Sequence, residues 1–187
     1  MNKKISLVII IVVILSILTI KYTQRRSRFT FGNNYAQVIK KGTKEEKIIA
    51  LTFDDGPHPD FTPKILDILK EYDVKATFFI LGQHGQMYRD ILKRQVEEGH
   101  EIGNHTFSHI NIKKTPEEKI REEFYKTQEV IYSITDTEPR LFRPPYGIYN
   151  DLAINLANKN NCSIVLWTPH QDSKDWGNPE VKEIIDT

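Results

Sequence analysis

Ile48-Ile49-Ala50-Leu51-Thr52-Phe53-Asp54-Asp55-Gly56-Pro57 decides the fold class. A continuous apolar run leads straight into two acids and a turn. Such a run is what a strand buried on both faces of a parallel sheet requires. Downstream, Phe61, Ile65, Ile68, Leu69 and Tyr72 form a helical stripe, with Pro63 near its first turn. Val74 to Ile80 reads as a second strand. Tyr88, Ile91, Leu92, Gln95 and Val96 suggest a second helix, closed by Gly99. Glu101 to Asn104 is a third strand. Thr115-Pro116-Glu117-Glu118 spells a capping box ahead of a helix carrying Ile120, Phe124 and Ile131. Leu141-Phe142 makes a fourth strand, and Asn150 caps a helix with Leu152 and Leu156. Ser163 to Trp167 is a fifth strand, and Asn178-Pro179 opens a last helix with Val181, Ile184 and Ile185. Five alternations of strand and helix give an α/β fold with a parallel sheet. In such sheets reactive residues gather past the carboxyl ends of the strands.

Upstream of Lys47, residues 22–46 are polar and without periodicity, as expected of a linker. Ile5 to Ile20 is a run of sixteen residues without a charge. As a helix it would span about 24 Å, slightly short of a ~30 Å hydrocarbon core. Lys3, Lys4 and Lys21 can snorkel to make up the difference. Residues 1–21 therefore read as an N-terminal transmembrane anchor. A signal peptide is the alternative, since Asn2-Lys3-Lys4 is a short basic start, but no small-x-small cleavage site follows Ile20. The expected location is the cell membrane, single-pass, with the domain extracellular, or secreted if the segment is cleaved. The formal charge of +1 hides a segregation of sign. Residues 1–28 carry six bases and no acid, and the rest holds 20 bases against 25 acids. An acidic body lacks the basic face of a nucleic-acid binder. One cysteine, Cys162, excludes an intrachain disulfide and reads as a buried apolar residue.

Four of the five strand ends carry chemistry. Asp54 and Asp55 repel each other unless positive charge is close. A metal on one and a base role for the other would account for both, although Asp-Gly-Pro also suits a plain turn. His105 and His109, four apart, can meet at one point on a helical turn and suit Zn²⁺, or they are two ordinary histidines. Asp55, His105 and His109 together would give three ligands and an open position, the catalytic arrangement. Co²⁺ or Ni²⁺ would suit the same donors. Arg143, ahead of Pro144-Pro145-Tyr146-Gly147, can orient a carboxylate or make an ordinary salt bridge. Trp176 offers a flat wall for a sugar ring. For Trp167, core packing is the preferred reading.

Thr52-Phe53-Asp54-Asp55-Gly56, His105-Thr106-Phe107-Ser108-His109, Arg143-Pro144-Pro145-Tyr146 and Asp172-Ser173-Lys174-Asp175-Trp176 resemble, in order, four motifs of the polysaccharide deacetylases. These are the NodB-homology domains of carbohydrate esterase family 4. The resemblance covers residues 47–187. It implies a distorted (β/α) barrel and metal-dependent removal of N-acetyl groups from a glycan, peptidoglycan first and chitin-type oligosaccharide next. It implies Asp54 as catalytic base and Asp55, His105 and His109 as metal ligands. Arg143 would position Asp54, the Tyr146 N–H would help hold the oxyanion, and Asp175 and Trp176 would support and wall the site. The family's fifth motif, with its histidine, has no match after Trp176. His58, His84, His100 and His170 stand elsewhere, His84 in an expected loop. Five strand–helix units do not close a (β/α)₈ barrel, which typically takes about 200 residues or more. The expectation is an incomplete barrel lacking its C-terminal part.

Overall fold

Six parallel strands form one sheet in the order β1-β6-β5-β4-β3-β2. They are β1 (Val38–Ile39), β2 (Thr52–Gly56), β3 (Thr77–Ile80), β4 (Glu101–Asn104), β5 (Leu141–Phe142) and β6 (Ser163–Val165). A computed structural model describes residues 37–42, 48–168 and 173–185. The expected membrane segment, residues 1–21, lies outside these residues. Among the described residues no helix is long and apolar enough to cross a membrane.

The helices are α1 (Phe61–Glu71), α2 (Gly82–Met87), α3 (Arg89–Glu97), α4 (Glu117–Thr135), α5 (Asp151–Lys159) and α6 (Val181–Ile185). The α/β class and parallel sheet agree with the sequence reading, with one strand more. β1 lies inside residues 22–46, the stretch expected to be a linker. Val38 and Ile39 are too short a pair to signal a strand; they become one by pairing with Ile164 and Val165 of β6.

The strand expected at Ile48 begins only at Thr52. Ile48 is 72% exposed and Ile49 85% exposed. β2 is an edge strand of the described sheet, so no neighbour covers its approach. The capping box also does not form. Pro116 is the N-cap of α4, and Thr115 Oγ1 donates instead to the Asn111 carbonyl. Asn150 caps α5 as expected, its Oδ1 accepting the Ala153 N–H at 3.0 Å.

Two apolar clusters hold the sheet against its helices. One joins Leu66, Leu69, Phe78, Ile80, Leu92, Ile102 and Ile131. The other joins Ile120, Phe124, Phe142, Leu152, Leu156, Cys162 and Ile164. Each fully buried Leu, Ile or Phe contributes about 1.5–3 kcal/mol. α4 reaches both clusters through Phe124 and Ile131, so this helix locks β4 and β5 side by side. That junction is where the site lies.

Candidate active site

A regular β2 would send Asp54 and Asp55 to opposite faces, because successive side chains alternate along a strand. β2 is not regular. Phe53 pairs with Phe78 and Gly56 with Ile80, so Asp54 and Asp55 together oppose the single residue Phe79. The extra residue is a β-bulge, which bends a strand and re-aims its side chains. Asp55 takes up the bend at φ 64°. Both carboxylates then face one imidazole: His105 Nε2 lies 3.4 Å from Asp55 Oδ1 and 3.9 Å from Asp54 Oδ2.

The two histidines sit on the loop after β4 rather than on the helical turn expected for them. Thr106 and His109 adopt φ 67° and 59°. Two left-handed residues fold the loop back so that the rings stand 5.2 Å apart, centre to centre. His109 Nε2 also lies 3.4 Å from Asp55 Oδ1. Left-handed backbone costs a non-glycine residue on the order of 1–3 kcal/mol. Hydrogen bonds hold it here. Buried Asn104 accepts the Thr106 N–H through Oδ1 at 2.8 Å, and the Gly82 N–H donates to the Thr106 carbonyl at 3.0 Å. Asn104 Nδ2 in turn donates to the Phe124 carbonyl at 3.0 Å.

His105 donates from Nδ1 to the Arg143 carbonyl. A carbonyl only accepts, so this nitrogen carries a proton and Nε2 is the ring atom that faces Asp55. The ligand atoms of Asp55, His105 and His109 lie within 4.8 Å of one another. Two imidazole nitrogens and one carboxylate oxygen fit a divalent metal of the zinc type and leave a position for water.

Arg143 is the buried hub beside them, 2% exposed. Nη1 donates to Asp54 Oδ1 at 2.7 Å and to Thr52 Oγ1 at 2.9 Å, and Nε donates to the Val165 carbonyl at 3.2 Å. Its guanidinium lies 4.0 Å from the Phe79 ring centre and 5.2 Å from that of Trp167. Burial and ring faces make such a cation hard to move.

The two acids are driven apart electrostatically. Burial pushes the Asp54 carboxyl above its usual range, against the opposing pull of His105 and Arg143. Hydrogen bonding to His105 draws the Asp55 carboxyl below its usual range. Burial lowers His109. A stronger base beside a readily ionised ligand is a usable division of labour.

The structure thus brings together Asp54, Asp55, His105, His109 and Arg143. Tyr146, at φ 59°, lays its ring 4.7 Å from that of His109, centre to centre. Asp175 and Trp176 lie on a 3₁₀ turn, Asp175–Gly177, where Trp176 is 82% exposed.

Two residues at the site went unrecognised in the sequence. His84, expected in a loop, is on α2 and donates from Nδ1 to the Asp55 carbonyl at 2.7 Å. Trp167, expected to pack in the core, faces Arg143. Both follow strand ends, His84 after β3 and Trp167 after β6, so the strand-end rule applied throughout finds them.

The geometry can be set against known proteins. The family model for polysaccharide deacetylase matches residues 41–165. A peptidoglycan-N-acetylglucosamine deacetylase of Bacillus cereus is 43% identical over 140 residues, covering 75% of this chain and 65% of that one. A second from the same organism is 43% identical over 148 residues, 79% of this chain and 53% of that one. The chain therefore spans between half and two thirds of these relatives. A chitooligosaccharide deacetylase of Azorhizobium caulinodans is 35% identical over 144 residues, 76% of this chain and 68% of that one. The crystal structure of the Bc1960 peptidoglycan N-acetylglucosamine deacetylase superposes with a TM-score of 0.75 at 42% identity, over 80% of this chain and 69% of that one. BA3943 of Bacillus anthracis, a CE4 family pseudoenzyme, superposes equally, at 0.75 and 32% identity, over 80% and 52%. The bulged strand with its paired acids, the two-histidine loop and the buried arginine all fall within the matched stretch, and the chain belongs to the polysaccharide deacetylase family.

Proposed function

We propose that this chain hydrolyses N-acetyl groups on a glycan, with peptidoglycan as the first substrate class and chitin-type oligosaccharide next. The observation that carries this reading is the meeting of Asp55, His105 and His109 at one point beside an Asp54 held by Arg143. The names of the similar enzymes support the substrate class. Asp55, His105 and His109 would hold a divalent metal, zinc first and Co²⁺ or Ni²⁺ as alternatives. When bound, the metal polarises an acetamide carbonyl and acidifies water.

The chain's own residues divide the remaining work. Arg143 engages Asp54 Oδ1, so Oδ2 is the oxygen that accepts the proton of the attacking water. Burial of Asp54 raises its proton affinity and suits it to that task. Tyr146 supplies its backbone N–H to the developing oxyanion. The exposed rings of Tyr146 and Trp176 offer flat faces to sugar rings. Ile5 to Ile20 anchors the chain in the cell membrane with the domain outside, facing wall glycan; cleavage of that segment would release it.

Acetate release from N-acetylated peptidoglycan and chitooligosaccharide, with and without a chelator, tests this reading. Chelator-sensitive release is expected from the wild type and none from Asp54→Asn. A second reading is a metal- and glycan-binding relative without turnover. One observation favours it: the pseudoenzyme resembles the chain as closely in backbone as the deacetylase does. Glycan binding without acetate from the 187-residue chain would decide for this reading.

A further inference from the structure

We propose that Glu123 is a positioning residue that sets the metal-facing geometry of His109. The proposal rests on the reading of Asp55, His105 and His109 as metal ligands. Glu123 lies on α4 and is 1% exposed. Its Oε2 accepts the backbone N–H of Phe107 at 2.9 Å and of Ser108 at 2.7 Å, and its Oε1 accepts the Ser108 hydroxyl at 2.8 Å. All three donors belong to the short stretch between His105 and His109. The left-handed turns at Thr106 and His109 direct these N–H groups inward, away from any strand partner. A carboxylate satisfies consecutive inward N–H groups because both its oxygens accept and neither donates. Lys119, one turn earlier on α4, places Nζ 3.5 Å from Oε1 and offsets the buried charge.

His105 does not depend on this fork. Its backbone N–H donates to the Ile80 carbonyl of the neighbouring strand, and its ring is fixed by Arg143. His109 lies beyond the fork, and the contacts of its ring are with His105, Tyr146 and Asp55. Phe107 is pinned from two other sides. Lys126 sits 3.8 Å over its ring, and its Cδ2 occupies the space where a Cβ on Gly82 would fall. Anchoring Phe107 and Ser108 to α4 therefore fixes the path into His109. Without the fork, the loop keeps its start at His105 and loses its aim at the far end.

Binding of Co²⁺ by the 187-residue chain, followed by titration and by the visible spectrum of the bound ion, tests this. Supporting groups around metal ligands typically change affinity by about 10–100-fold when removed. Glu123→Ala is expected to weaken Co²⁺ by that factor and to give the spectrum of His109→Ala. The double variant is expected to bind no more weakly than His109→Ala alone, since both changes remove the same ligand. Glu123→Gln keeps one oxygen for the two N–H groups and is expected to recover most of the affinity. Should Glu123→Ala fail to fold, Glu123→Asp carries the test. Its shortened carboxylate cannot reach both N–H groups, and at least a tenfold loss is expected with a wild-type circular dichroism spectrum. Wild-type affinity and spectrum in a folded Glu123→Ala or Glu123→Asp would overturn the proposal. Equal binding by wild type and Asp55→Ala would instead overturn the metal reading beneath it.

Discussion

Arg143 serves two site residues at once: its carbonyl accepts from His105 Nδ1, and its Nη1 donates to Asp54 Oδ1 at 2.7 Å. One residue on the loop after β5 thus fixes the His105 ring and the orientation of the proposed base. The Arg143 N–H also donates to the Asn104 carbonyl at the end of β4, which ties both to the sheet.

Removing that cation has two expected consequences. Arg143→Met leaves Asp54 buried without its partner, and breaking a buried pair in this way costs about 3–5 kcal/mol. A urea unfolding curve measures the loss. Arg143 also lowers the Asp54 carboxyl, which burial has already pushed above its ordinary value of 3.8. A base works only when ionised, so the acid limb of the pH–rate profile moves higher in Arg143→Met than in the wild type. An unmoved limb would show that Asp54 is not the titrating base.

Gly103 is the close-packing position behind the hub. A Cβ there would lie 2.4 Å from Cδ1 of Phe79, the ring that covers Arg143. Gly103→Ala is expected to destabilise by about 1–3 kcal/mol through overpacking. Activity should fall with it as Phe79 shifts against the guanidinium. An unchanged urea midpoint would contradict this packing.

His84 supports Asp55 from the backbone side. His84→Ala is expected to weaken Co²⁺ or Zn²⁺ binding by about tenfold or more. His84→Asn keeps a donor near the Nδ1 position and should restore most of the affinity. Equal affinities in the three proteins would remove His84 from the site.

Cys162 gives a prediction about the core. Burial pushes its thiol from 9.0 up to about 12. The folded state thus holds this proton more tightly than the unfolded chain. Its contribution to stability is complete below about pH 9 and is lost as pH rises toward 12. At pH 8 a disulfide reagent should label the thiol only as fast as the protein unfolds, and at once in denaturant. Immediate labelling of the native protein would contradict the burial.

Much of the site was legible because its chemistry is local in sequence. Asp54 with Asp55, and His105 with His109, stand just past strand ends where the α/β pattern says to look. The bulge that lets two adjacent acids face one imidazole was not legible, because it depends on how β2 registers against β3. Glu123 was not legible either. It reaches the histidine loop from within a helix, fifteen and sixteen residues away along the chain, and nothing local marks it. β1 was hidden for the same reason, since Val38 and Ile39 become a strand only against β6. Conversely, Ile48 and Ile49 look like core and are exposed, because apolar character does not reveal that β2 lies at the edge of the described sheet.

The most direct test of the account is calorimetric titration of Zn²⁺ into the wild type, Asp54→Asn and Asp55→Ala, with acetate release measured on the same samples. The account predicts one site in the wild type, the same site without acetate release in Asp54→Asn, and no site in Asp55→Ala. Unchanged zinc affinity in Asp55→Ala would contradict it.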